Sequence, residues 1–187
     1  MATVRTDRRT ERTRAALMAA FVDLILTREY AEITVEDIVK RANIGRSTFY
    51  VHYVGKEDIL KQSMAHPSNP LANIVGSNLA PQTLMPILKH FREQRGLNRM
   101  FLSSPIRPIW VSCLAEMIEP RLAALSRKIH AQPTLPLALI AAQLAEAQLG
   151  LIAHWLMGRA PCRPEAVAEA LIASTNANVS ALLRVRS

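Results

Sequence analysis

Residues 34–58, TVEDIVKRANIGRSTFYVHYVGKED, constrain this chain more than any other stretch. They read as two short helices joined by a tight turn, with the start of a third behind them. Thr34 is a good N-cap, and Asp37 three places on completes a capping box. Val35, Ile38, Val39 and Ala42 then follow the i, i+3, i+4, i+7 spacing of one buried helical stripe. Asn43 falls where that helix must end, and Asn tolerates the left-handed backbone that closes a helix. Ile44 can plug the corner, and Gly45 permits a close approach or a positive φ in the turn. The second helix begins near Arg46. Phe49 and Tyr53, four apart, face inward against Val35, Ile38 and Ile44. Arg46, Ser47, Thr48, Tyr50 and His52 then fall mainly on the outer side. That set can donate hydrogen bonds and contains no carboxylate to repel phosphate. Lys56 follows Gly55 at the start of the next helix, where free N–H groups and an ammonium make a small anion site.

The rest of the 187 residues bound the fold class. Half are hydrophobic, Gly is scarce, and long Ala/Leu/Ile-rich stretches recur without the Val/Thr/Tyr alternation of strands. The expectation is an all-α chain of two domains, 1–62 and 63–187. No run of 18 apolar residues occurs and the N-terminus is polar, which predicts neither a membrane span nor a secretory leader, and a cytoplasmic location. Cys113 and Cys162 read as incidental thiols in a reducing compartment. The formal charge of +8 is unevenly placed. The first 60 residues hold 10 basic and 9 acidic side chains, the remainder 13 and 6, so the excess lies outside the helix-turn-helix. Within the first domain Arg5, Arg8, Arg9, Arg12 and Arg14 crowd an N-terminal arm, expected to be disordered alone and able to lie along phosphates.

Helix punctuation sets the remaining expectations. A first helix spans about Thr10 to Thr27. A helix from Lys56 stops at Pro67, and a long loop covers residues 67–80. A helix spans Pro81 to Arg95 and ends at Gly96; residues 97–108, with Ser103, Ser104, Pro105 and Pro108, look broken. A helix from Ile109 is kinked or interrupted at Pro120 and continues to His130. The last two run over 137–157 and 164–184. Residues 137–157 are apolar on nearly every side and so must be buried on every side. Ala168, Leu171, Ile172, Thr175, Val179, Leu182 and Leu183 keep one stripe on the last helix. Two such helices per chain would form a four-helix bundle across a twofold axis, or else the core of one chain.

The 34–58 segment resembles the tetracycline-repressor (TetR) family of bacterial transcription regulators. That family has a T-x-x-x-I-A-x-x-A-G-V-S-x-x-T-x-Y-x-H-F-x-x-K-x-x-L run, and this chain offers Thr34, Ile38, Ala42, Thr48, Tyr50, His52 and Lys56 in register. It departs at Val39, Asn43, Ile44, Gly45, Tyr53 and Ile59. The resemblance covers roughly residues 10–62. It implies an N-terminal three-helix DNA-binding domain, a C-terminal helical ligand-binding domain, and a homodimer through the last two helices. Arg46, Ser47 and Thr48 would then lie nearest the bases, with Arg46 placed for a guanine edge, and Thr34, Tyr50, His52 and Lys56 would hold phosphates. The partner is a pseudo-palindromic double-stranded operator. The resemblance also implies a small-molecule effector, for which Phe91, Met100, Phe101, Trp110, Cys113, Met117, Gln148, Ile152 and Trp155 would line a pocket unless they are plain core. The basic balance after residue 60 hints at an anionic effector or acidic partner, beside the plain alternative of solvated side chains. Repression is the expected sign.

Other function classes fit less well. H-E-x-x-H, G-x-S-x-G and phosphate-cradling Gly loops are absent, and His66, His90, His130 and His154 lack metal-ligand spacing. A non-enzyme without cofactor or metal is expected. The rival reading is a helical interaction module whose helix-turn-helix does not read DNA, because its first domain is nearly neutral.

Overall fold

A computed structural model describes residues 2–103, 106–158 and 161–185. The chain divides into two compact units, Met1–Ser63 and Met64–Ser187, with the boundary inside a helix. In the first unit, α1 (Ala2–Thr27) leads through a 3-10 turn (Tyr30–Glu32) to α2 (Val35–Ala42), α3 (Arg46–His52) and the first half of α4 (Lys56–Ala72). Leu17, Ala20, Phe21 and Ile25 of α1 are buried, as are Ile33, Ile38, Val39, Phe49, Tyr53, Ile59 and Leu60, while Val35, Ala42 and Ile44, expected inside, are half-buried. The expected arm is not a separate coil, since α1 is helical from Ala2. No Gly or Pro precedes Thr10, so nothing local stops the helix from extending backward. The side chain of Arg5 lies outside the described residues.

The second unit departs from the proline reading. Helix α4 continues through Pro67 and Pro70 to Ala72 instead of stopping at Pro67. A proline inside a helix costs about 3 kcal/mol. Here the same segment buries Ser68, Leu71 and Ala72 completely, and tertiary packing outweighs the local penalty. The loop expected over 67–80 shrinks to the residues after α4, of which Ile74 and Val75 are themselves buried. A 3-10 turn (Pro81–Leu84) precedes α5 (Met85–Glu93), and α6 (Arg95–Ser103) occupies the region expected to be broken. Gly96 therefore sits in the first turn of a helix. Ser104 and Pro105 lie outside the described residues. Helix α7 (Arg107–Lys128) starts with Pro108 in its first turn, where the missing N–H has no partner to lose, and runs past Pro120.

Ala131–Pro133 (β1) and Leu183–Val185 (β2) pair antiparallel, with Gln132 opposite Arg184. This ribbon has no sequence signature. His130 turns into it at φ 52°, and Thr134 N–H closes it on the Leu182 carbonyl at 2.9 Å. The last helix consequently ends at Leu182 and not at Arg184.

Helix α8 (Leu137–Met157) packs chiefly on α7, and also on α6 and α9 (Pro164–Leu182). By length and a mean hydropathy of 1.4 it is apolar enough to cross a membrane. It is not buried all round, however. Ile140, Ala141, Leu144, Ala145, Gln148, Leu149, Ile152, Ala153 and Leu156 face the interior. Leu139 is 58% exposed, and Gln143, Glu146, Ala147 and His154 share its side of the helix. Helix α9 turns inward Val167, Ala168, Leu171, Thr175 and Val179 and presents Ala166, Ala170, Ala173, Ala177 and Ala181 outward.

Candidate nucleic-acid interface

The capping box at Thr34 is fully formed. Asp37 N–H donates to Thr34 Oγ1 at 3.2 Å, while Thr34 N–H and Oγ1 both donate to Asp37 Oδ2, at 2.9 and 2.6 Å. Arg28 Nη1 reaches Asp37 Oδ1 at 3.0 Å. Hydrogen bonds from Thr34, with Arg28 beside them, hold the Asp37 carboxyl down at about 2. The hydroxyl of Thr34, expected on a phosphate, is therefore engaged inside the domain.

The turn that aims α3 is closed by Asn43, at φ 53°, ψ 45°, with its N–H bonded to the Lys40 carbonyl and Ile44 N–H to the Val39 carbonyl. Gly45 has ordinary extended backbone at φ −66° and caps α3 without a side-chain hydrogen bond. A Cβ there would meet nothing closer than 3.9 Å. The positive φ sought at Gly45 is thus supplied two residues earlier, by Asn43.

Phe49 and Tyr53 are buried, their rings 5.5 Å apart, and they fix the roll of α3. Arg46, Ser47 and Tyr50 are consequently exposed, and Thr48 and His52 half-buried. Tyr50 stands edge-on to Phe49 at 5.4 Å, and the Arg46 guanidinium lies 5.8 Å from the Tyr50 ring centre. The Tyr50 hydroxyl keeps Arg46 still more firmly protonated. Arg28 and Arg41 are instead tied to Asp37 and Asp23. Residues 46–52 carry no acid, so the outward face of α3 combines one cation, hydroxyls and an imidazole.

Lys56 is placed otherwise than expected. Its Nζ donates to the carbonyls of Tyr30, Ala31 and Ile33 at 2.9, 3.1 and 2.9 Å, and it lies 4.6 Å from the centre of the Tyr30 ring. An ammonium has three donors, and all three are taken. Lys56 therefore clamps the 3-10 turn to the start of α4. The helix start beside it is completed by Asp58 Oδ2, which accepts from Val54 N–H at 3.1 Å. Tyr30 had no sequence signal. Its hydroxyl is buried without a hydrogen-bond partner among the described residues, and burial, helped by the Glu57 charge, pushes it up to about 12. Val51 and Val54 stand outside the expected set, although they are 78% and 88% exposed. The spacing carried a signal for Val51, which is two residues from each of the two buried rings.

The residues expected around an effector divide. Phe91, Phe101 and Trp110 form one buried cluster, with centroids 6.0 and 6.2 Å from Trp110 to the other two. Trp110 Nε1 donates to the buried Ser68 Oγ at 3.0 Å. Cys113 and Ile152 are buried, and Met117 is half-buried. Gln148 is 2% exposed; its Nε2 donates to Thr175 Oγ1 at 3.0 Å, and its Oε1 has no partner among the described residues. Trp155 stands apart, donating to the Cys162 carbonyl and lining a surface groove of about 160 Å³ with Arg92, Arg95, Leu156 and Gly158. The side chain of Met100 lies outside the described residues.

A sequence model described as bacterial regulatory proteins, tetR family, matches residues 17–62. A TetR transcriptional regulator from Streptococcus agalactiae superposes over 94% of this chain and 99% of its own, at 27% identity and a TM-score of 0.58. Residues 17–62 thus carry the DNA-binding domain of the TetR family of bacterial regulatory proteins. The chain is also 50% identical over 56 residues to the HTH-type transcriptional regulator YxbF of Bacillus subtilis, and 44% over 46 residues to EthR of Mycolicibacterium smegmatis. Those matches take in 29% and 25% of this chain but only 15% of YxbF and 21% of EthR. Thermus thermophilus FadR, a TetR-family repressor solved with lauroyl-CoA, shares the fold at 19% identity, with a TM-score of 0.51 over 93% of this chain and 97% of its own. Among the described residues no group of His, Cys, Asp or Glu is arranged to hold a metal.

Proposed function

We propose that this chain is a cytoplasmic, DNA-binding transcriptional repressor, working as a homodimer and released from a pseudo-palindromic operator by a small molecule. The observation that carries the reading is the outward face of α3. It is free of acid, rich in donors, and rolled into place by Phe49 and Tyr53. Arg46, Ser47 and Thr48 are proposed at base edges and Tyr50 and His52 at phosphates. Thr34 and Lys56 are proposed as positioning residues, because their donors are already engaged. Selection of double-stranded oligonucleotides from a random pool at low salt tests this directly. Recovery of a preferred palindrome is expected, and recovery of none refutes DNA reading.

The dimer reading rests on the outer faces of α8 and α9. Leu139 and Ala147 on one helix, and Ala166, Ala170, Ala173, Ala177 and Ala181 on the other, leave small apolar residues in water within one chain. Small residues let helices of two copies approach closely, and paired readers about 34–36 Å apart meet successive major grooves. Sedimentation at micromolar concentration should give twice 20.8 kDa, and Ala170→Arg with Ala177→Arg should give the monomer. A wild-type chain that sediments only at 20.8 kDa refutes it.

For the effector, the unit offers an aromatic interior in which, among the described residues, the buried polar side chains are uncharged: Ser68, Asn98, Gln148 and Thr175. Among the described residues the basic side chains after position 60 are exposed, apart from the half-buried Arg107 and Arg121, which favours a neutral, largely apolar ligand over the anionic one suggested by charge balance. Titration with neutral and anionic amphiphiles, read by release from the selected DNA, separates the two. The second reading, an interaction module that ignores DNA, is favoured by the near-neutral first 60 residues and is decided by the same selection.

A further inference from the structure

Val51 occupies an unusual place. Successive residues of a helix are rotated by about 100°, so Val51 lies about 160° from both Phe49 and Tyr53, the two side chains that anchor α3 inward. It is the outermost point of the helix, 78% exposed. A β-branched residue is a poor helix former, and here it gains nothing from packing within its own chain. The residues one turn back on its side of the helix are donors, Ser47 and Thr48, with exposed Tyr50 about 100° round the helix. An apolar group ringed by donors matches one ligand edge closely. In the major groove an A·T pair presents the thymine 5-methyl beside the O4 acceptor, whereas a G·C pair presents no methyl. A solvent-facing hydroxyl such as Thr would serve a phosphate; Val cannot.

We propose that Val51 is a specificity-determining residue that covers the 5-methyl group of a thymine in the operator, with Ser47 beside it able to meet the adjoining O4. The inference rests on the DNA-binding reading of α3 and adds which base its outermost side chain selects. Val54, at 88% exposure, belongs to the turn after α3 and follows Tyr53 out of the helix, so it is not part of this contact.

Exchange of thymine for deoxyuridine removes only the methyl and leaves every hydrogen-bonding group in place. On the sequence selected by the wild-type chain, each thymine is replaced in turn by deoxyuridine and binding is measured for wild type, Val51→Ala and Val54→Ala. The wild type should lose about fourfold in affinity at the contacted position, the transfer value of one buried methyl-sized group. Val51→Ala should bind thymine and deoxyuridine sites alike, and Val54→Ala should keep the wild-type ratio. Because Val51 is exposed, the alanine variant retains its packing, and an unchanged melting temperature checks this. Absence of any deoxyuridine-sensitive position overturns the proposal. So does a sensitivity that survives in Val51→Ala, or one lost only in Val54→Ala. A selection that recovers no DNA refutes the parent reading instead, so the two failures are distinct.

Discussion

Replacing Lys56 by Met separates a clamp from a phosphate contact. Methionine keeps most of the stem volume and removes the ammonium, so the change isolates the three N–H···O=C bonds and the approach to Tyr30. The Ala31 carbonyl is exposed and regains water at little cost. The Tyr30 and Ile33 carbonyls are part-buried, and a lost hydrogen bond of this kind is worth about 1 kcal/mol each. Loss of the cation from the Tyr30 face adds about 0.5–1 kcal/mol. The sum, about 2–3 kcal/mol, lowers the melting midpoint of a chain this size by roughly 5–10 °C. Thermal unfolding followed by circular dichroism reads that directly. DNA affinity measured across salt supplies the second axis. A lysine holding one phosphate contributes about 0.9 to the slope of log K against log salt. A clamp leaves the slope unchanged. A Lys56→Met chain that melts like wild type and loses about one unit of slope would refute the clamp and restore the phosphate contact.

The other expectations are independent of one another. Asn43→Ala forces a Cβ-bearing residue without Asn's tolerance into φ 53°, and should cost about 1 kcal/mol in urea unfolding, whereas Gly45→Ala, with open space and negative φ, should stay within about 0.5 kcal/mol. Trp110→Phe removes the hydrogen bond donated to the buried Ser68 hydroxyl and should destabilise Met64–Ser187 by about 1–3 kcal/mol; no change in the urea midpoint would refute the role of that bond. Asp37 titrates near 2 when folded and near 3.8 otherwise, so its contribution is complete above about pH 4 and is lost as pH falls toward 2. The stability gap between wild type and Asp37→Asn should therefore be constant at pH 5–7 and close between pH 4 and 2; a gap that is flat across that range refutes it.

Local rules were legible wherever one residue could satisfy them alone. Thr34 and Asp37 form their box, Phe49 and Tyr53 turn inward, Asn43 goes left-handed, and Gly158 ends α8 at φ 69°. Rules that weigh one residue against many neighbours misled. Pro67 reads as a stop, Pro70 as part of a loop and Pro120 as a kink or interruption, yet each lies inside a helix whose buried face outweighs the missing hydrogen bond. The three-residue ribbon of Ala131–Pro133 with Leu183–Val185 joins positions some fifty residues apart and is too short for any periodicity.

What the amino-acid order settled by itself is the helical character of the chain, the helix-turn-helix and which face of α3 is wet, because caps and i, i+4 spacing act within a turn or two. What only tertiary structure decided is how shared donors are divided. Lys56 looked like a free cation until Tyr30, Ala31 and Ile33, more than twenty residues earlier, folded their carbonyls around it. Gln148 looked like one of many pocket residues until Thr175 claimed its amide and left its oxygen without a partner among the described residues. A side chain's partners are a property of three-dimensional proximity, and a hydrogen bond used within the fold is no longer available to a ligand.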